Sequence, residues 1–162
     1  MPPARPPPPC KEPACESRSE AFKATMAAAT ASKTAQPVCP PDRDELGRHS
    51  WTLLHTVAAY YPEMPTASEK AAASHFVRSL SSLYPCKECA HDMAEAIEQM
   101  PPRIDSRADF SIWMCELHNH VNAKIGKPAF RCNLKELDEA WRTASRACEL
   151  AQGKAHGEEA IS

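Results

Sequence analysis

Cys86-Lys-Glu-Cys89 is where this sequence most readily does chemistry. Two thiols three residues apart can close and open a disulfide, with exchange proceeding by attack of a thiolate on one sulfur. Chance supplies such a spacing easily in a chain of eight cysteines, so its setting carries the argument. Pro85 stands just before the pair, at the predicted start of a helix, where unpaired N–H groups and the helix dipole stabilise a thiolate. Thiols in such places have pKa values lowered to roughly 3.5–7.5 and are nucleophilic at neutral pH. Two other uses of these sulfurs compete. One is an inert structural pair; the other is a zinc-stabilised interaction module built from Cys86, Cys89, Cys115 and His118. The 25 residues between Cys89 and Cys115 exceed the usual finger spacing, and zinc would leave Cys132 without a role.

Cys115 and Cys132 enclose the turn Gly126-Lys127-Pro128. A disulfide there would tie the end of one helix to the start of the next and add about 3 kcal/mol in the chain-entropy model; two separate thiols are the alternative. Cys39 and Cys148 flank the predicted helical region and can pair with each other, within one chain or across a dimer. Cys10 and Cys15 form a CxxxxC pattern in a Pro-rich stretch. Two helix faces add polar groups to this set. Arg48, Trp51 and His55 fall at i, i+3 and i+7, and so do Cys115, His118 and Asn122. Each face alone is well explained by satisfied interior histidines. Together, beside a CxxC, they suggest a slot for a planar aromatic cofactor, with Trp stacking and His and Asn bonding the ring edges. A flavin would accept the electrons that a dithiol gives up.

The elements that must position these groups read as helices. The chain has 162 residues, with 27 Ala against four Val and five Ile, a balance that favours helix over sheet. The first helix is predicted from about Asp42 to Tyr61, with Leu46, Leu53, Leu54, Val57 and Tyr61 inward and Pro62 as its stop. Thr66 and Glu69 make a capping box for a second, with Phe76, Leu80 and Leu83 as its stripe. The third runs from about Cys86 to Met100. A fourth opens at Ser106 and Asp109 and carries Phe110, Trp113, Met114, Leu117, Val121 and Ile125 before Gly126 and Pro128. The fifth, about Asn133 to Leu150, uses Leu134, Leu137 and Trp141. The expected fold is all-α: a four-helix bundle over 39–150 with a fifth helix on its side, the cofactor held in the bundle. Residues 1–38, Pro- and Ala-rich, read as a flexible arm, and 151–162 as a tail.

Several function classes drop out. Nineteen basic against twenty-one acidic residues provide no strongly basic face, which argues against a nucleic-acid partner. No apolar run approaches the roughly 20 residues of a membrane span. Four glycines include no phosphate-cradling loop. The N-terminal segment lacks the apolar core of a secretory signal, and its glutamates make it a poor transit peptide.

The stretch Cys39-Pro-Pro-Asp-Arg-Asp-Glu-Leu-Gly-Arg-His-Ser-Trp-Thr-Leu-Leu-His closely resembles the opening of the Erv/ALR FAD-linked sulfhydryl oxidases, the family of the augmenter of liver regeneration. The resemblance continues through Tyr84-Pro-Cys-Lys-Glu-Cys-Ala, Trp113-Met-Cys-Glu-Leu-His-Asn-His-Val-Asn and Gly126-Lys-Pro-Ala-Phe-Arg-Cys132, covering about 39–141. It implies a helical bundle holding FAD non-covalently, working as a homodimer of the mitochondrial type. Cys86 and Cys89 match the redox-active pair, Cys86 exchanging with incoming thiols and Cys89 facing the flavin. Cys115–Cys132 matches the structural disulfide, and Cys39 and Cys148 match cysteines that join subunits. Arg48, Trp51, His55, Tyr60, His118, Asn119, Asn122, Lys124 and Lys127 match flavin-contacting positions. Cys10 and Cys15 stand where mitochondrial relatives carry a shuttle pair, here spaced by four residues rather than two. The expected activity is oxidation of protein dithiols, such as those of an intermembrane-space disulfide carrier, with oxygen or cytochrome c as acceptor. The expected location is the mitochondrial intermembrane space.

Overall fold

The computed structural model describes residues 39–143, and the chain divides after Pro40, with every described helix in the unit that follows. Five helices occupy it: α1 (Arg43–Ala59), α2 (Ala67–Leu83), α3 (Lys87–Gln99), α4 (Arg107–Lys124) and α5 (Leu134–Trp141). No strand occurs among the described residues. Each helix begins where a side chain satisfies the orphan N–H groups of the first turn. Asp42 accepts from the Glu45 amide at 2.8 Å, Ser106 from Asp109 at 3.1 Å and Asn133 from Glu136 at 3.0 Å. Thr66 and Glu69 form the full capping box, with the Glu69 carboxylate accepting from the Thr66 amide at 2.7 Å. Cys86 caps α3 through its sulfur, which accepts from the Cys89 amide. Gly126, at φ 70°, turns the chain out of α4 in the left-handed conformation that a side chain would disfavour.

α4 is the central helix. It packs on α1 and α3, α2 packs on α3, and α5 lies across α1 and α4. Phe110, Trp113, Met114, Cys115 and Leu117 of α4 are almost wholly buried against Leu54 and Ala58 of α1, Val77 of α2 and Ala96 and Ile97 of α3. Two polar groups in this core are satisfied: the Trp113 indole donates to the Met100 carbonyl at 2.9 Å, and the Ser111 hydroxyl to the Ala58 carbonyl at 3.1 Å.

The all-α expectation of four bundled helices and a short fifth holds. Three predicted stripe residues point outward instead. Leu53, Leu83 and Ile125 are exposed by 55%, 79% and 57%. The buried face of α1 is set by Leu54, His55 and Ala58, and Leu53 lies on the opposite side at 100° per residue. Leu83 and Ile125 stand at or beyond the last turn of their helices, past the reach of the packed neighbours. The fifth helix ends at Trp141, with Arg142 as its C-cap, short of the predicted end at Leu150; residues 144–150 lie outside the described residues, as do the proposed arm 1–38 and tail 151–162.

Candidate functional site

Cys86 and Cys89 are joined in a disulfide at the start of α3, with their Cα atoms 5.3 Å apart. Pro85 and the extended backbone of Cys86 place the first sulfur ahead of the first turn, 3.3 Å from the Cys89 amide nitrogen. Both cysteines are partly exposed. Cys115 and Cys132 form the second disulfide, with Cα atoms 5.6 Å apart, one end buried in α4 and the other two residues before α5. Three of the four sulfurs and nitrogens expected of a zinc site are therefore unavailable as ligands, because Cys86, Cys89 and Cys115 are consumed in disulfides. His118, the fourth, is engaged by aromatic neighbours. The zinc-module alternative is overturned on this ground.

The two helix faces read from the sequence meet. Trp51 of α1 stacks on His118 of α4, with ring centroids 4.0 Å apart and planes within 6°. His55 Nε2 and His118 Nδ1 share a hydrogen bond of 2.9 Å. Burial, reinforced by His118, pushes the His55 imidazole down to about 3. Burial, reinforced by the Lys127 charge, takes His118 down to about 4. Both rings are thus neutral at pH 7 and act as hydrogen-bonding groups rather than cations. Beside them opens a cleft of about 210 Å³, walled by His55, Cys115, Phe130, Leu137 and Trp141 with Arg131 at its edge.

The other expected site residues are distributed unevenly around this cluster. Asn119 clamps the backbone of Phe130 from both sides, accepting from its amide at 2.8 Å and donating to its carbonyl at 2.9 Å, and reaches Cys132 Sγ at 3.2 Å. Buried Asn122 donates to the Pro128 carbonyl at 3.4 Å. Both amides thus shape the 126–132 loop that brings Phe130 edge-on to His118 at 4.9 Å. Tyr60 caps the end of α1 and donates to the Arg142 carbonyl at 3.5 Å. Lys124 is turned to α3, where Asp92 and Glu95 hold its ammonium at 2.8 and 3.3 Å. Arg48 and Lys127 are exposed. Cys39 is exposed, and Cys10, Cys15 and Cys148 lie outside the described residues.

Three contributors escaped the sequence reading. Trp141, whose spacing predicts a place in a core stripe, stacks on His55 at 4.6 Å with planes within 6°. Phe130 completes the aromatic wall from a loop, where no periodicity marks it. Arg107 is buried and paired with Glu63 and Asp138, and charged residues at a helix start carry no signal of burial. No helix among the described residues is long and apolar enough to cross a membrane.

Comparison with known proteins agrees with this arrangement. The model of the Erv1 / Alr family matches residues 48–142. The mitochondrial FAD-linked sulfhydryl oxidase ERV1 of Saccharomyces cerevisiae is 48% identical over 112 residues, covering 68% of this chain and 59% of that protein. The FAD-linked sulfhydryl oxidase ERV1 of Arabidopsis thaliana is 39% identical over 118 residues, covering 73% and 60%. The chain thus spans about three-fifths of the length of these relatives. Among solved structures, the yeast Erv1 core superposes with a TM-score of 0.64 at 44% identity, covering 68% of this chain and 92% of that one. The FAD-binding domain of Erv1 from the same yeast gives 0.60 at 43% identity. The matched span contains all five helices but the first residues of α1, together with both disulfides and the aromatic cluster, and on that footing the chain belongs to the Erv1/Alr family.

Proposed function

We propose that this protein is a FAD-dependent sulfhydryl oxidase that makes disulfides in protein substrates. The observation that carries the reading is the Cys86–Cys89 disulfide capping α3. A substrate thiolate attacks Cys86 Sγ, forming a mixed disulfide and expelling Cys89 as a thiolate. The second substrate thiol, once deprotonated, attacks the substrate sulfur of that mixed disulfide. A substrate disulfide forms and Cys86 leaves as a thiolate, so two electrons have moved from substrate to the pair. The Cys89 amide and the positive end of α3 stabilise that leaving group, which lowers the barrier to release.

The aromatic cluster fits a flavin by the chemistry of its groups. It offers parallel aromatic planes for a ring, neutral imidazoles for ring-edge hydrogen bonds, and the cations Lys127 and Arg131 for a pyrophosphate. Trp51, His55, His118 and Trp141 would hold the rings, with Arg48, Tyr60, Asn119, Asn122 and Lys124 also at positions matching flavin contacts. FAD supplies, when bound, the two-electron acceptor that regenerates the Cys86–Cys89 disulfide and passes electrons to oxygen or cytochrome c.

The same reading includes a shuttle by Cys10 and Cys15, delivering electrons from a protein such as an intermembrane-space disulfide carrier. It includes a homodimer, for which the exposed Leu53 of α1 offers apolar surface, with Cys39 and Cys148 as candidate subunit links. The mitochondrial name of the Saccharomyces cerevisiae relative supports a mitochondrial location, and the structural Cys115–Cys132 disulfide suits its intermembrane space. The test is oxygen uptake with dithiothreitol by wild-type protein and by Cys86→Ser and Cys89→Ser. Loss of uptake in both variants, with flavin content retained, is expected; wild-type rates in either would overturn the mechanism.

A further inference from the structure

α5 has eight residues, too few to be stable as an isolated helix. Its place is set by three ties. The Cys115–Cys132 disulfide anchors the chain two residues before it. Its own Leu137 side chain is buried. In its middle, Asp138 meets Arg107 in a two-pronged pair, with Nη1 to Oδ1 at 2.5 Å and Nη2 to Oδ2 at 3.3 Å. The Arg107 side chain is only 8% exposed and Asp138 23%. The second carboxylate at this centre, Glu63, bonds Arg107 Nε but is itself 64% exposed. Three residues beyond Asp138, one turn along the same helix, Trp141 lies flat on His55.

A disulfide at one end leaves a helix free to pivot, whereas a planar guanidinium gripping a carboxylate with two bonds fixes both position and rotation. We propose that Arg107 and Asp138 are positioning residues: their ion pair sets α5 in the orientation that lays Trp141 over His55, walls the cleft on that side, and governs how long a flat cofactor stays bound. Neither residue touches the cleft as a ligand; both act through α5. The cofactor half of this inference rests on the flavin reading above, while the docking of α5 does not.

Two measurements on the purified full chain separate these halves. The first is the rate of FAD loss, followed by flavin fluorescence after dilution. The second is the titration of the His55 ring by NMR, which reports whether Trp141 still covers it and needs no flavin. Asp138→Asn, which keeps shape but breaks the charged fork, is expected to release FAD at least about tenfold faster. It should also raise the His55 pKa towards the ordinary histidine value. Glu63→Gln, which leaves the fork intact, should match wild type in both. Val77→Ala controls for general loss of stability, since it thins the core between α2 and α3 and should leave FAD loss unchanged. If single variants misfold, Arg107→Met with Asp138→Leu removes the buried charge altogether. That double variant should fold and still lose FAD quickly. Unchanged His55 titration in a folded Asp138→Asn protein would overturn the inference, and so would wild-type FAD retention there or in the double variant. A wild-type protein that binds no flavin would sink the flavin reading, and the His55 titration would still decide the docking.

Discussion

Lowering the pH from 7 to 5 should destabilise this protein through one imidazole more than any other. His55 is 3% exposed, and burial holds its pKa at about 3, against an unfolded value near 6.5. At pH 5 the unfolded chain has taken up that proton and the folded chain has not. Because the unfolded state binds more protons, stability falls as pH falls, and the loss runs from about pH 6.5 down to about 3. Integrating one such site between pH 7 and 5 gives about 2 kcal/mol. His118 shifts in the same direction but is half-buried, so its contribution is smaller. For a fold of about a hundred residues, 2 kcal/mol lowers Tm by about 10 °C. The assay is thermal unfolding by circular dichroism at several pH values in that interval, for wild type and for His55→Gln, which cannot titrate. The variant should start less stable, having lost the ring that stacks on Trp141, yet lose clearly less Tm between pH 7 and 5. Parallel pH profiles for the two proteins would refute the assignment of a buried neutral imidazole.

Other outcomes follow from single features. Cys115→Ala with Cys132→Ala should cost about 3 kcal/mol in denaturant unfolding, and equal midpoints would mean that the bridge adds nothing to the fold. Thr66→Ala removes the capping box of α2 and should cost about 1 kcal/mol by the same assay; no change would show that solvent caps that end equally well. Cys10→Ser with Cys15→Ser should slow oxidation of a protein dithiol while sparing dithiothreitol, and unchanged rates with both substrates would remove the shuttle.

Much of this arrangement was legible because local rules and the tertiary fold agree. Asp42, Thr66, Ser106 and Asn133 cap their helices as their side chains dictate, and Pro62 and Gly126 close two of them. Spacing put Trp51 and His55 on one helix face and His118 on another, whereas the stacking and bonding of these rings on one another is a tertiary fact that spacing does not show. Leu53 was not readable, because an apolar residue opposite a helix's main stripe has the same composition whether it faces a core, a second subunit or water. Trp141 and Arg107 depend on where an eight-residue helix docks, which is a tertiary fact with no local periodicity behind it. Lys124 shows the same limit: the family resemblance implies a flavin contact there, while its charge is drawn to Asp92 and Glu95 across the helix interface.

The central claim is that thiol electrons leave through the Cys86–Cys89 pair into a bound flavin, and the visible absorption spectrum of the purified protein tests it most directly. The expected result is a yellow protein whose flavin bands bleach when dithiothreitol is added in air and return as the dithiol is consumed. A folded, colourless protein that takes up no added FAD, or a yellow one whose bands ignore the dithiol, would contradict it.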